Sequence, residues 1–67
     1  MPIIKIVELI GISEAGFQEA VEDAIKQAAK TIRNITGVDV IGWTAEVKDS
    51  KIINYKANVK VAFIVER

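Results

Sequence analysis

The chain has 67 residues, nine basic and nine acidic, so its formal net charge is zero; 51% of its residues are hydrophobic, and it has neither cysteine nor histidine. Those absences exclude disulfides, Cys/His zinc sites and any nucleophile system that needs histidine or cysteine. The balanced charge supplies no basic excess for a nucleic-acid or anionic-membrane partner.

A chain of this length forms one domain, 1–67. Such a domain buries only about 60% of its unfolded surface and is marginal alone. With crosslinks and zinc excluded, assembly with further copies of the same chain is the remaining source of stability. No apolar run reaches the roughly 18 residues of a membrane-spanning helix. The N-terminal Met1-Pro2-Ile3-Ile4-Lys5 lacks the layout of a signal peptide, so a cytoplasmic location is expected.

Residues 3–10 read as a strand rich in β-branched residues and closed by Gly11. Ser13 is then placed to cap a helix, with Glu14 in its positive first turn. From Glu14 to about Asn34, Phe17, Ala20, Val21, Ala24, Ile25, Ala28 and Ile32 recur at steps of three and four and form one stripe. A helix of that span is about 30 Å long, and its alanines allow a sheet to approach closely. Lys30 and Arg33 suit its negative end.

Gly37 marks the helix exit, and Val38 to Lys48 reads as the second strand. By strict alternation Val38, Val40 and Gly42 share one face, while Asp39, Ile41, Trp43, Ala45 and Val47 share the other. Lys48-Asp49-Ser50-Lys51 is a polar turn without the Asn-Gly or Asp-Gly signal of a tight hairpin. Ile52 to Val65 is the third strand. Its end is apolar on both sides: Val59, Val61, Phe63 and Val65 share one face, Ala62 and Ile64 the other. The predicted fold is α+β, in the order β-α-β-β, a three-stranded antiparallel sheet wrapped on one helix. One helix covers one face, and the other face requires a partner.

No catalytic residue is assigned, and the protein is not expected to be an enzyme. Gly11-Ile12-Ser13-Glu14-Ala15-Gly16 lies between a strand and a helix N-terminus, where backbone N–H groups can hold a phosphate. It matches neither the Walker A nor the dinucleotide pattern, and a turn glycine with an N-cap explains it more simply. Trp43, the only tryptophan, is predicted on the face the helix leaves open. A flat ligand or a subunit contact would each use it, and interfaces favour tryptophan. Glu8, Asp39 and Glu46 would suit a hard cation at a symmetry axis, although ordinary solvated or paired charge accounts for them and no metal ligand is assigned.

Three stretches together resemble the dodecin family: Lys5-x-Val7-Glu8-Leu9-x-Gly11-x-Ser13; Glu22-Asp23-Ala24-Ile25 with Lys30-Thr31-Ile32-Arg33-Asn34-Ile35; and Asp49-x-Lys51-Ile52-x-x-Tyr55-Lys56-x-x-Val59-Lys60-Val61-x-Phe63. The resemblance implies a hollow shell of twelve copies that binds a flavin, FMN or riboflavin, for storage. In that family the flavin is stacked between tryptophans of adjacent subunits. The stacking tryptophan of the pattern falls on Gly37, and a glutamine that hydrogen-bonds the ring edge falls on Lys56. Loss of both weakens the expected flavin site. Trp43 has the strand parity of Gly37 but lies about 20 Å further along. The candidate binding set is Gly37, Asp39, Ile41, Trp43 and Lys56. The alternative is a shell of the same architecture without flavin, structural or holding an ion or coenzyme A.

Overall fold

A computed structural model describes residues 2–65; Met1, Glu66 and Arg67, at the ends of the expected 1–67 domain, lie outside the described residues. The elements are β1 (Ile3–Ser13), α1 (Phe17–Ala28), β2 (Ile35–Lys48) and β3 (Lys51–Val65). The sheet order is β1-β3-β2 with both pairings antiparallel, so the predicted β-α-β-β architecture stands and the doubly apolar last strand is the central one.

The helix is shorter at both ends than the expected span from Glu14 to about Asn34. β1 continues through Gly11, Ile12 and Ser13 to pair with Ala57, Lys56 and Tyr55. Gly11 is therefore a strand residue rather than a turn. A Cβ there would lie 1.9 Å from the Ala20 carbonyl oxygen, so glycine lets the strand touch the helix backbone. Ser13 does not cap the helix either. Its Oγ accepts a bond from Ala15 N at 2.9 Å, and the N-cap is Gly16, which has no side-chain cap bond. The phosphate reading of residues 11–16 loses its loop, because half of that segment is committed to the sheet.

At the other end, Lys30 N and Thr31 N bond three residues back, to the carbonyls of Gln27 and Ala28, which tightens the last turn. Asn34, at φ 62, then reverses the chain, and its carbonyl accepts from Ile64 N at 3.0 Å. Lys30 and Arg33 thus belong to the connection rather than to the helix. Twelve helical residues span about 18 Å, well short of the expected 30 Å and of a molecule 52 Å long.

Ala20, Ala24 and Ala28 are buried against Ala57, Val59 and Val61 of β3, with Val7, Leu9, Val21, Ile32, Ile35 and Val40 packed around them. Each fully buried valine contributes up to about 1.5–3 kcal/mol relative to exposure. The core is therefore a row of small residues, with Val59 and Val61 its largest fully buried side chains.

The β2–β3 turn is tight despite its sequence. Lys48 pairs with Lys51, and Asp49 and Ser50 both adopt positive φ, 52 and 65, which matches the right-handed twist of a two-residue hairpin.

Candidate functional site

The face of the sheet away from α1 is organised by register. Cross-strand partners share a face, so the even-numbered residues of β1 and, from Asn54 on, of β3 stand on this outer side. The rows run Ile6–Ala62–Gly37, Glu8–Lys60–Asp39, Ile10–Asn58–Gly42 and Ile12–Lys56–Thr44 across the three strands, followed by Asn54–Glu46 on the hairpin alone. The face is divided lengthwise. Along β1 it is an isoleucine stripe, with Ile4, Ile6, Ile10 and Ile12 exposed at 64, 61, 62 and 48%. Along β3 and β2 it carries charges, amides and two bare glycines.

β2 does not keep the alternation expected of it. Register shifts fall between Ile35 and Gly37, Val40 and Gly42, and Glu46 and Val47. The shift at Val40/Gly42 inserts Ile41 as an extra residue and reverses the parity of everything after it. Val40 pairs with Val59 and Trp43 with Ala57, so both stand on the helix side. Trp43 is therefore on the face opposite to Gly37, and the expectation that both lie on the open face is corrected. Its ring packs edge-on to Phe17, centroids 5.0 Å apart at 74°, and Phe17 packs similarly on Tyr55 at 4.9 Å and 76°. Trp43 remains 50% exposed beyond the N-terminal end of the helix.

Of the other candidates, Gly37, Asp39 and Lys56 do share the outer face. A Cβ on Gly37 would meet nothing within 4 Å, and the same holds for Gly42. Gly37 sits opposite Ala62 and Lys56 opposite Thr44, six residues apart along β3 or about 20 Å. No single ring reaches both positions on one subunit. Asp39 and Glu8 flank Lys60 from opposite strands, while Glu46 pairs with Asn54. Among the described residues no three acidic side chains gather at one point. Ile41 sits in the bulge, 47% exposed.

Two outer-face residues, Asn54 and Asn58, carry no signal as ligand contacts in the sequence, and Glu46 suggests there only a cation. Lys56 Nζ forms an ion pair with Glu46 Oε1 at 3.3 Å, and Asn54 Nδ2 donates to the same oxygen at 3.3 Å. Counting back evenly from the Asp49–Ser50 turn places Glu46 opposite Ile53; the third register shift moves it to Asn54. Asn58 Oδ1 is buried without a hydrogen-bond partner.

Away from the outer face, a cleft of about 410 Å³ opens between β1 and α1, lined by Val7, Leu9, Ile10, Ala24, Ala28 and Ile32 with the uncharged Gln27 and Thr31. It lacks the charged groups found on the outer face. No helix among the described residues is long and apolar enough to cross a membrane.

Comparison with known proteins gives one consistent match. The dodecin family model matches residues 3–66. A dodecin from Thermus thermophilus is 30% identical over 64 residues, covering 96% of this chain and 93% of that protein. The crystal structure of a Thermus thermophilus protein superimposes with a TM-score of 0.95 at 28% identity, covering 100% of this chain and 98% of the other. The calcium dodecin of Mycobacterium tuberculosis, described as having a calcium-binding site, gives a TM-score of 0.83 at 23% identity over 96% of this chain and 91% of its own. At that identity the likeness is one of fold.

Proposed function

Because the chain belongs to the dodecin family, we propose that it assembles with copies of itself, in a shell of twelve, and sequesters a small planar ligand between subunits in the cytoplasm. It acts as a store and not as an enzyme. The observation that carries this reading is the outer face of the sheet. A stripe of four exposed isoleucines runs beside a polar ladder on the same surface. The stripe gives the apolar contact that subunits need, and the ladder gives the polar groups that orient a ligand.

A flavin, FMN or riboflavin, is the ligand class the family brings, and Gly37 lowers the expected affinity. Aromatic stacking contributes about 0.5–1.5 kcal/mol per pair beyond area burial, and a bare glycine offers none. With Gly37 and Lys56 about 20 Å apart on one subunit, a ring that touches both positions draws them from different copies. A non-flavin shell is the second reading, favoured by the open space at Gly37. Any cation in it would be held by carboxylates of neighbouring copies, since Glu8 and Asp39 are each set beside Lys60.

Light scattering combined with riboflavin fluorescence quenching tests both levels. The expected outcome is a particle near twelve chain masses with weak quenching, strengthened by Gly37→Trp. A particle of one chain, 7.4 kDa, at micromolar concentration overturns the shell. Tight quenching by the unmodified protein, unaltered by Gly37→Trp, overturns the assignment of Gly37.

A further inference from the structure

A closed shell needs more than one kind of contact between its subunits. A patch that meets its own copy across a two-fold axis ends the assembly at a pair. A patch that meets a different patch on the next copy builds a ring. The isoleucine stripe of the outer face is one patch, and two further apolar surfaces lie on the helix side. The first is the end of the β2–β3 hairpin. α1 begins at Phe17, whose ring meets Trp43 and Tyr55, and both strands run on past that point to the Asp49–Ser50 turn. β2 has no extra residue from Trp43 to Val47, so Val47 keeps the helix side, and its partner Ile52 shares it. Ile53 is the extra residue of β3 beside them. Val47, Ile52 and Ile53 are exposed at 65, 50 and 42%, beyond the reach of α1. The second surface is the cleft of about 410 Å³ between β1 and α1. Its lining is uncharged, but Asp23 stands at its rim, where Oδ2 accepts from Ile12 N at 3.3 Å and Oδ1 from Gln27 Nε2 at 3.4 Å.

Resting on the assembly reading, we infer that the hairpin end of one copy docks in the β1–α1 cleft of the next copy, head to tail. The hairpin end offers bulky apolar side chains without a cover, and the cleft is an apolar hollow without an occupant in its own chain. Lys48 and Lys51 pair beside Val47 and Ile52, and they bring positive charge to Asp23. Neither surface suits its own copy. Two hairpin ends face to face set these lysines against each other, and two clefts set hollow against hollow. Each copy therefore gives one surface and receives the other, and the contact repeats until a ring closes. Ile10 lines the cleft and also belongs to the outer stripe, so the two kinds of contact adjoin along β1. The stripe then joins one ring to another, which a ring alone cannot do.

The lack of cysteine makes this contact testable by crosslinking without background. Val47→Cys marks the hairpin end and Thr31→Cys the cleft, and a short bismaleimide reagent joins thiols that assembly brings together. The doubly substituted chain is expected to give covalent species larger than a pair on a denaturing gel, while neither single variant links to itself. Light scattering on the same samples separates the two levels. A large particle in which Val47→Cys links to itself, or in which the double variant stays unlinked, overturns the docking and leaves assembly intact. A particle of one chain, 7.4 kDa, overturns the assembly together with it. In a second variant, Val47→Asp with Ile52→Asp, the large particle is expected to be lost while helical circular dichroism at high protein concentration is kept. An unchanged particle in that variant also overturns the docking.

Discussion

The two faces of β3 were built under different constraints. On the helix side Ala57, Val59 and Val61 are buried by a helix of the same chain, and the contact is so close that Gly11 has no room for a methyl group. On the opposite side Asn54, Lys56, Asn58 and Lys60 form a polar ladder, with only Ala62 and Ile64 apolar at the end. The apolar surface of that side sits instead on β1. Small residues against a helix give intrachain packing. Large apolar residues on an edge strand beside a polar ladder leave an exposed surface, and the proposed assembly would cover it. Of the two apolar faces of this sheet, only the one against α1 is covered within the chain among the described residues.

The largest effect is expected at the closest approach on the inner face. In Gly11→Ala the new Cβ meets the Ala20 carbonyl oxygen at 1.9 Å and Ala24 at 2.9 Å. Backbone, not a flexible side chain, must move. Overpacking of this kind costs about 1–3 kcal/mol or more, and a domain this small has little to spare. Chemical denaturation should show a large drop in midpoint or no folded protein. A variant as stable as the parent would mean that the helix can move away from β1 without cost.

The outer face should respond differently. Ile6→Asp combined with Ile10→Asp places charges on the exposed stripe without touching Ala57, Val59 or Val61. Helical circular dichroism measured at high protein concentration should survive better than the particle size measured by light scattering. Loss of the large particle is the expected outcome. An intact particle would shift the subunit contact to the cleft beside α1 or to the hairpin.

Much of this division was legible in the residues. Alternation in 59–65 located the two-sided strand, and the alanine stripe located the surface that covers it. The length of the helix was not legible, because its apolar period continues to Ile32 while the backbone leaves the helix after Ala28. A period reports which residues face inward, and Ile32 still packs on the core from the connection that follows. Nor was the face of Trp43. Period-two reasoning assumes an unbroken ladder, and one inserted residue at Ile41 reverses it. The same kind of slip hid the partners of Glu46: they are chosen by the extra residue Ile53 on β3, which leaves no local signature in Ile52-Ile53-Asn54.

Trp43 gives the smallest effect and the cleanest separation of the two faces. Trp43→Ala removes one edge-to-face aromatic pair with Phe17. That pair is worth about 0.5–1.5 kcal/mol beyond the area it buries, so a modest loss of stability is expected. Flavin affinity, measured by fluorescence quenching on protein that is still assembled, should be unchanged, because the indole stands on the helix side while Gly37 and Lys56 stand on the other. The bulge at Ile41 is the reason for that expectation. A marked drop in affinity would mean that a neighbouring copy brings its helix-side hairpin surface to the ligand, and that the ligand is held between opposite faces of two subunits. In that arrangement the tryptophan lost at Gly37 would have a substitute, reached through assembly and not along the strand.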